Sequence, residues 1–157
     1  ILSTDVEKKY VLNKIVPDKL LHLEYRGTTD GFGSQDFQNK CLGKKNTVMI
    51  VQTFNNVIIG GYRHSEWASE FTPDPEGFLF SISHQQKFMA IKNAEKTWAS
   101  FKSSIFSREK PITFGFGPSL AIGEDPSNKE SSYYQIVGAQ YEKATGKAAM
   151  FAQKTHF

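Results

Sequence analysis

Cys41 is the residue of this chain with the clearest capacity for covalent chemistry, because a thiolate can act as a nucleophile and can react with peroxide. It is the single cysteine among 157 residues. A low thiol pKa would require a helix N-terminus or cationic neighbours, whereas Cys41 comes late in a predicted helix, where the helix dipole disfavours a thiolate. A Cys41-dependent, peroxide-responsive enzyme is therefore one hypothesis, which the position of the residue does not favour.

Histidine, aspartate and serine offer no second route to chemistry. No histidine lies within ligand spacing of another histidine or of the cysteine, so the sequence predicts no zinc site. The aspartates fall mostly in predicted caps and turns, and the calcium-loop pattern does not occur. Ser65 and Ser119 lack the glycine elbow that exposes a nucleophile. We therefore expect no catalytic residue, no metal and no cofactor. The histidines are His22, His64, His84 and His156.

The basic residues do not form the pattern of a nucleic-acid-binding protein. Lysine and arginine exceed aspartate and glutamate by 19 to 16, which gives a formal net charge of +3. These cations are scattered, and the densest group is Lys44-Lys45. A nucleic-acid groove requires a concentrated positive stripe. We therefore interpret Lys8-Lys9 and Lys44-Lys45 as solvated faces and expect no nucleic-acid partner.

Length and composition indicate one β-rich domain in a reducing compartment. A chain of 157 residues can bury a substantial core, and 13 phenylalanines interleaved with glycine favour strands over a helical bundle. A single cysteine excludes an intrachain disulfide framework. The sequence has neither the long apolar run of a membrane span nor a secretory signal, so we expect a cytoplasmic or cytosol-facing protein without membrane insertion. The first residue is Ile, which suggests a piece of a longer chain.

The first half of the chain predicts two helices and a strand. Capping residues at positions 3–5 precede an amphipathic pattern that predicts a helix ending before Pro17. Residues 20–25 are interpreted as an apolar strand. Asp30-Gly31 predicts a tight turn in which glycine takes a positive φ, and Ser34 is the expected N-cap of a helix that ends before Gly43. Phe37 and Cys41 would share the face of this helix that packs on a sheet.

A β-meander is predicted from residue 47 onward. Residues 47–54 and 57–59 read as a hairpin of central strands, and 77–83 and 87–91 as a second hairpin. Gly60-Gly61 should end the second strand at a bend or a close approach of the backbone, because two adjacent glycines cost conformational entropy that a strand otherwise avoids. A phosphate-binding loop is disfavoured, since the Lys and Ser/Thr that it uses do not follow. Residues 63–76 are expected to form a loop anchored by Trp67.

The most unusual segment of the sequence is 93–110. Its apolar residues are spaced three and four apart, which predicts a short amphipathic helix on the surface. We take Trp98, Phe101, Ile105, Phe106 and the loop residue Trp67 as candidate partner-binding residues, with burial in the core as the alternative for Trp98.

The C-terminal part predicts more strands. Residues 111–116 and 120–122 should pair, with a pinch at Gly115 and Gly117. Residues 133–141 could form a further strand that Gly138 interrupts as at a bulge.

Several spaced motifs together resemble the TLDc domain family over nearly the whole length. They are Tyr-Arg-Gly-Thr-Thr-Asp-Gly-Phe at 25–32, Phe37 with Cys41 and Gly43, Ile-Gly-Gly-Tyr at 59–62, Trp67, Phe-Leu-Phe-Ser-Ile at 78–82 and Phe-Gly-Phe-Gly at 114–117. The resemblance continues through 120–122, the Ser131-Ser132-Tyr133 cluster, Gly138 and Tyr141. Departures are Phe116 in place of a usual glycine, Pro118-Ser119 in place of an acidic position, and the length of 93–110.

The resemblance implies an α+β, mainly β fold: a two-sheet antiparallel β-sandwich flanked by short helices. Residues 1–19 would be a helical lead-in and 20–157 the sandwich. The closing acidic strand of the family would be missing after Phe157, which would leave an attachment edge. The glycines expected to be structural are Gly27, Gly31, Gly60, Gly61, Gly115, Gly117 and Gly138.

The function that the resemblance implies is protein binding rather than catalysis. TLDc domains are linked to protection against oxidative stress and to binding the vacuolar proton pump, so the leading hypothesis is a module on the cytosolic face of vacuolar or endosomal membranes that contacts and regulates V-ATPase. The alternative is a structural, scaffold component of a ciliary or cytoskeletal assembly, such as an axonemal lattice.

Overall fold

The computed structural model of the protein describes residues 1–53, 56–68 and 72–90, together with the backbone of five further strands between residues 98 and 156. Ile105, Phe106, Gly115, Gly117 and Gly138 lie outside the described residues. The described part is mainly β, with antiparallel strands and a few short helices. None of its helices has the length and apolarity that a membrane crossing requires.

The chain begins with a capped helix, as predicted. Helix α1 spans Asp5–Tyr10 and continues as a π-helix over Val11–Ile15. The Thr4 hydroxyl accepts a hydrogen bond from the Glu7 backbone N–H at 3.2 Å, and the Glu7 carboxylate accepts one from the Thr4 N–H at 2.9 Å. This reciprocal capping box satisfies N–H groups that a helix start leaves unpaired.

Residues 20–25 do not form the predicted strand. They are neither helix nor strand, and Leu20, Leu21 and Leu23 are 103%, 52% and 66% exposed. Side chains alternate between the two faces of a strand, so leucines at positions 20, 21 and 23 would fall on both faces. A strand in this position would need covering layers on both sides, and the residues that the structure describes do not supply them.

Two short helices follow. Helix α2 spans Gly27–Asp30 and leads into Gly31, which has a φ of +102°. Helix α3 spans Ser34–Cys41, so its N-cap is Gly33 and not the predicted Ser34. The Asp36 carboxylate accepts a hydrogen bond from the Gly33 N–H at 3.1 Å, which supplies the capping contact from inside the helix.

A four-stranded antiparallel sheet is the larger β element among the residues whose burial the structure describes. Its strand order is β1-β2-β4-β5. These strands are β1 at Thr47–Gln52, β2 at Ile58–Arg63, β4 at Phe78–Ser81 and β5 at Gln86–Met89. Both predicted hairpins are confirmed, with β1 pairing β2 and β4 pairing β5. The prediction that both strands of the first hairpin are central is right for β2 and wrong for β1, which lies at the edge of this sheet.

Strand β2 does not end at its glycines as predicted, since it continues through Gly60 and Gly61 to Arg63. A Cβ on Gly60 would lie 2.1 Å from the Met49 carbonyl oxygen and 2.5 Å from Cζ of Phe80. Gly60 therefore permits the Phe80 ring to pack directly on the backbone of the neighbouring strand.

Shorter strands pair in the order β10-β9-β8-β7-β6-β3. They are β3 at Thr72–Pro73, β6 at Trp98–Phe101, β7 at Ile112–Phe114, β8 at Leu120–Ile122, β9 at Tyr133–Tyr134 and β10 at Thr155–His156. The predicted pairing of the strands here named β7 and β8 is confirmed.

Strand β6 corrects the helix predicted around Trp98. Residues Trp98–Phe101 pair with β3 on one side and β7 on the other. Spacings of three and four over so few residues do not separate helix from strand, and aromatic residues favour strands.

The four-stranded sheet is covered on one face by the N-terminal helices. Val11, Ile15 and Val16 pack with Phe78 and Phe80 in one buried cluster. The opposite face carries Ile59, Leu79 and Phe88, which are also buried. Strand β4 is consequently buried on both faces, a property that its continuous apolar sequence predicts.

Candidate functional site

Trp67 lies in the core of the loop that follows β2. Its side chain is 2% exposed, and its indole N–H donates a hydrogen bond to the Thr47 hydroxyl at 2.8 Å. The rings of Tyr25 and Phe37, and of Phe37 and Trp67, meet edge to face with centroids 5.2 and 5.1 Å apart. These contacts join helix α3 to the loop. Burial therefore removes Trp67 from the candidate partner-contact residues.

Arg63 is fully buried at the end of β2, beside Trp67. Its guanidinium carbon lies 4.8 Å from the centroid of the Trp67 ring, and its Nε and Nη2 groups donate hydrogen bonds to the Glu66 carbonyl oxygen. A buried charge needs such partners, because desolvation otherwise penalises it strongly. Arg63 thus fixes the course of the loop.

Asp74 fixes the other end of the same loop. Its buried carboxylate accepts hydrogen bonds from the backbone N–H of His64 at 3.1 Å and of Ser65 at 3.0 Å, and from the Ser65 hydroxyl at 3.0 Å. These three hydrogen bonds all come from the loop itself, an arrangement typical of a structural aspartate.

Cys41 is placed where a thiolate is disfavoured. The residue is the last of helix α3 and is 5% exposed. Burial, reinforced by the negative charge of Glu24, raises the pKa of the Cys41 thiol to about 11. At neutral pH the group is therefore a protonated thiol, which is the unreactive form.

Acidic, histidine and cysteine side chains do not gather elsewhere in the described ranges. No group of three or more that could hold a metal ion occurs among those residues. The Ser81 hydroxyl and the His84 Nδ1 lie 2.9 Å apart, but Ser81 ends β4 and His84 lies in the turn that follows, and the hydroxyl also accepts the His84 N–H at 3.3 Å. That pair is a turn contact rather than a nucleophile and its base.

The exposed surface next to the N-terminal helices is the feature that the sequence reasoning missed. Leu20, Leu21 and Leu23 are solvent-exposed, as is Leu12 at 45%. We call residues 20–24 the leucine segment. Its sequence signal is a run of leucines that would fall on both faces of the predicted apolar strand, after Pro17 and Lys19.

The leucine segment is held in place at its C-terminal end. The Glu24 carboxylate lies 3.1 Å from Nζ of Lys44 and 3.2 Å from Nδ1 of His22, and the Lys44 cation keeps the pKa of Glu24 below its ordinary value. Tyr25 follows directly, and its hydroxyl donates a hydrogen bond to the Gly31 carbonyl oxygen.

Comparison with known families decides the family of this fold. The family model described as the TLDc domain matches residues 5–156. The chain belongs to the TLDc domain family. Comparison with curated proteins gave no match.

The motifs that indicated the TLDc family mostly build the fold. Residues 59–62 lie within β2, and 78–82 contain β4. A Cβ on Gly27 would lie 2.5 Å from the Phe32 ring, so the 25–32 motif also packs closely on itself. These TLDc residues explain why the chain folds, whereas the exposed leucines are its candidate contact surface.

The remaining predicted contact residues have the following places in the TLDc fold. Trp98 and Phe101 are the first and last residues of β6, which pairs on both sides. Ile105 and Phe106 fall beyond the described residues. The structure therefore brings Trp98 and Phe101 together on one strand and assigns them no site.

Proposed function

We propose that this TLDc domain is a non-enzymatic, cytosol-facing protein-interaction module that binds and regulates V-ATPase and contributes to protection against oxidative stress. One observation carries the proposal: the TLDc family model covers residues 5–156, almost the entire chain. TLDc domains are linked to protein binding. We extend this link to the present chain and take V-ATPase as its partner.

A thiol enzyme is the less favoured reading of the oxidative-stress link. Cys41 is buried, and its pKa of about 11 keeps the thiol protonated. Peroxide reduction requires an accessible thiolate. We expect a Cys41→Ser variant to protect cells against peroxide as well as the parent chain does, and loss of protection with an intact fold would favour the enzyme.

We also infer that the domain is a two-sheet sandwich. The face of the four-stranded sheet that carries Ile59, Leu79 and Phe88 is buried, and a buried sheet face needs a second layer. Strands β3 and β6 to β10 would supply that layer. Such a sandwich would offer a rigid support for surface contacts.

The proposal is tested by affinity capture from a cell lysate with the purified 157-residue chain. Recovery of V-ATPase subunits, identified by mass spectrometry, supports it. Recovery of tubulin-associated proteins instead of the pump would favour a structural role in a ciliary or cytoskeletal assembly. A Phe80→Ala variant, which removes a buried core ring, serves as the control for capture by unfolded protein.

Trp98 and Phe101 are tested separately in the same assay. If either side chain is a contact hot spot, its replacement by alanine weakens partner binding by about 2 kcal/mol or more and leaves stability unchanged. If it is a core residue, the variant instead loses about 3–5 kcal/mol of unfolding free energy.

A further inference from the structure

We draw no further inference here: the strongest candidate, the exposed apolar surface formed by the leucine segment and Leu12 beside the N-terminal helices, carries none because basic and acidic side chains are balanced around it and nothing among the described residues shows what covers it.

Discussion

Residues 20–25 and 78–82 are two apolar stretches that look alike in sequence and differ completely in the fold. Phe78–Ser81 is strand β4, paired on both sides and buried on both faces. The leucine segment makes no backbone hydrogen bond among the described residues, and its leucines are exposed. The comparison teaches that an apolar run becomes a core strand only where neighbouring strands and covering layers exist on both sides.

The largest loss of unfolding free energy is expected from a substitution in the buried strand β4. Phe80→Ala removes a fully buried ring that packs on Gly60, and we expect the free energy of unfolding to fall by about 3–5 kcal/mol. Urea unfolding followed by tryptophan fluorescence measures the change. A loss below about 1 kcal/mol would mean that β4 is not the centre of the core.

Thiol reactivity offers a second contrast between buried and exposed positions. The pKa of Cys41 rises from 9.0 to about 11, so its thiolate fraction at pH 8 should be about a hundredfold lower than that of an ordinary thiol. Leu21→Cys in a Cys41→Ser background should therefore react with iodoacetamide at least about a hundredfold faster than native Cys41 does. Equal rates would contradict the burial of Cys41.

The same pKa shift has a consequence for stability. Between pH 9.0 and about 11 the unfolded chain loses the thiol proton and the folded chain keeps it. The stabilisation from the neutral thiol is thus complete below pH 9.0 and is lost as the pH rises through about 11. Cys41→Ser should lack this part of the pH dependence of urea unfolding.

Substitutions at two glycines distinguish destabilisation by steric crowding from destabilisation by an unfavourable backbone conformation. Gly60→Ala places a Cβ 2.1 Å from the Met49 carbonyl oxygen, and we expect a loss of about 2 kcal/mol because the backbone must shift. Gly43→Ala meets no atom within 4 Å but has a φ of +73°, so about 1 kcal/mol of left-handed strain is expected. Thermal unfolding of both variants checks the order, and the reverse order would contradict the packing at Gly60.

The sequence could predict those helices and strands whose local sequence pattern agrees with their tertiary surroundings. The capping residues at Ser3-Thr4, the β-branched run of β1 and the hairpin ending in β5 each carry their own signal, and all three elements occur. The family motifs also sufficed to identify the TLDc family.

The errors arose where tertiary context decides. Residues 20–25 are apolar enough for a strand, but strand formation depends on a partner that the local sequence does not specify. Trp67 is the predicted anchor of its loop and also a candidate partner contact, and only the fold, which places Phe37, Thr47 and Arg63 around it, shows that it is buried. The leucine surface was missed for the same reason, because exposure is a property of the folded chain.

A smaller effect is expected at the cap of the helix that covers the sheet. Thr4→Ala removes the hydroxyl that accepts the Glu7 N–H, and the unfolding free energy should fall by about 1 kcal/mol. Thr28→Ala, at an exposed threonine in α2, is the matched control. If both variants lose the same amount, the cap does not contribute specifically.

The smallest loss of unfolding free energy is expected in the leucine segment. A large loss there would contradict the difference drawn between the two apolar stretches. Leu20→Ser with Leu21→Ser changes two exposed side chains, so the unfolding free energy should stay within about 0.5 kcal/mol of the parent value. Urea unfolding of this variant beside Phe80→Ala measures the contrast directly. A loss above about 2 kcal/mol would show that the leucines are packed in solution, as a core strand would be. A neutral result would leave exposed leucines without a role in stability, as expected of a surface that functions in binding.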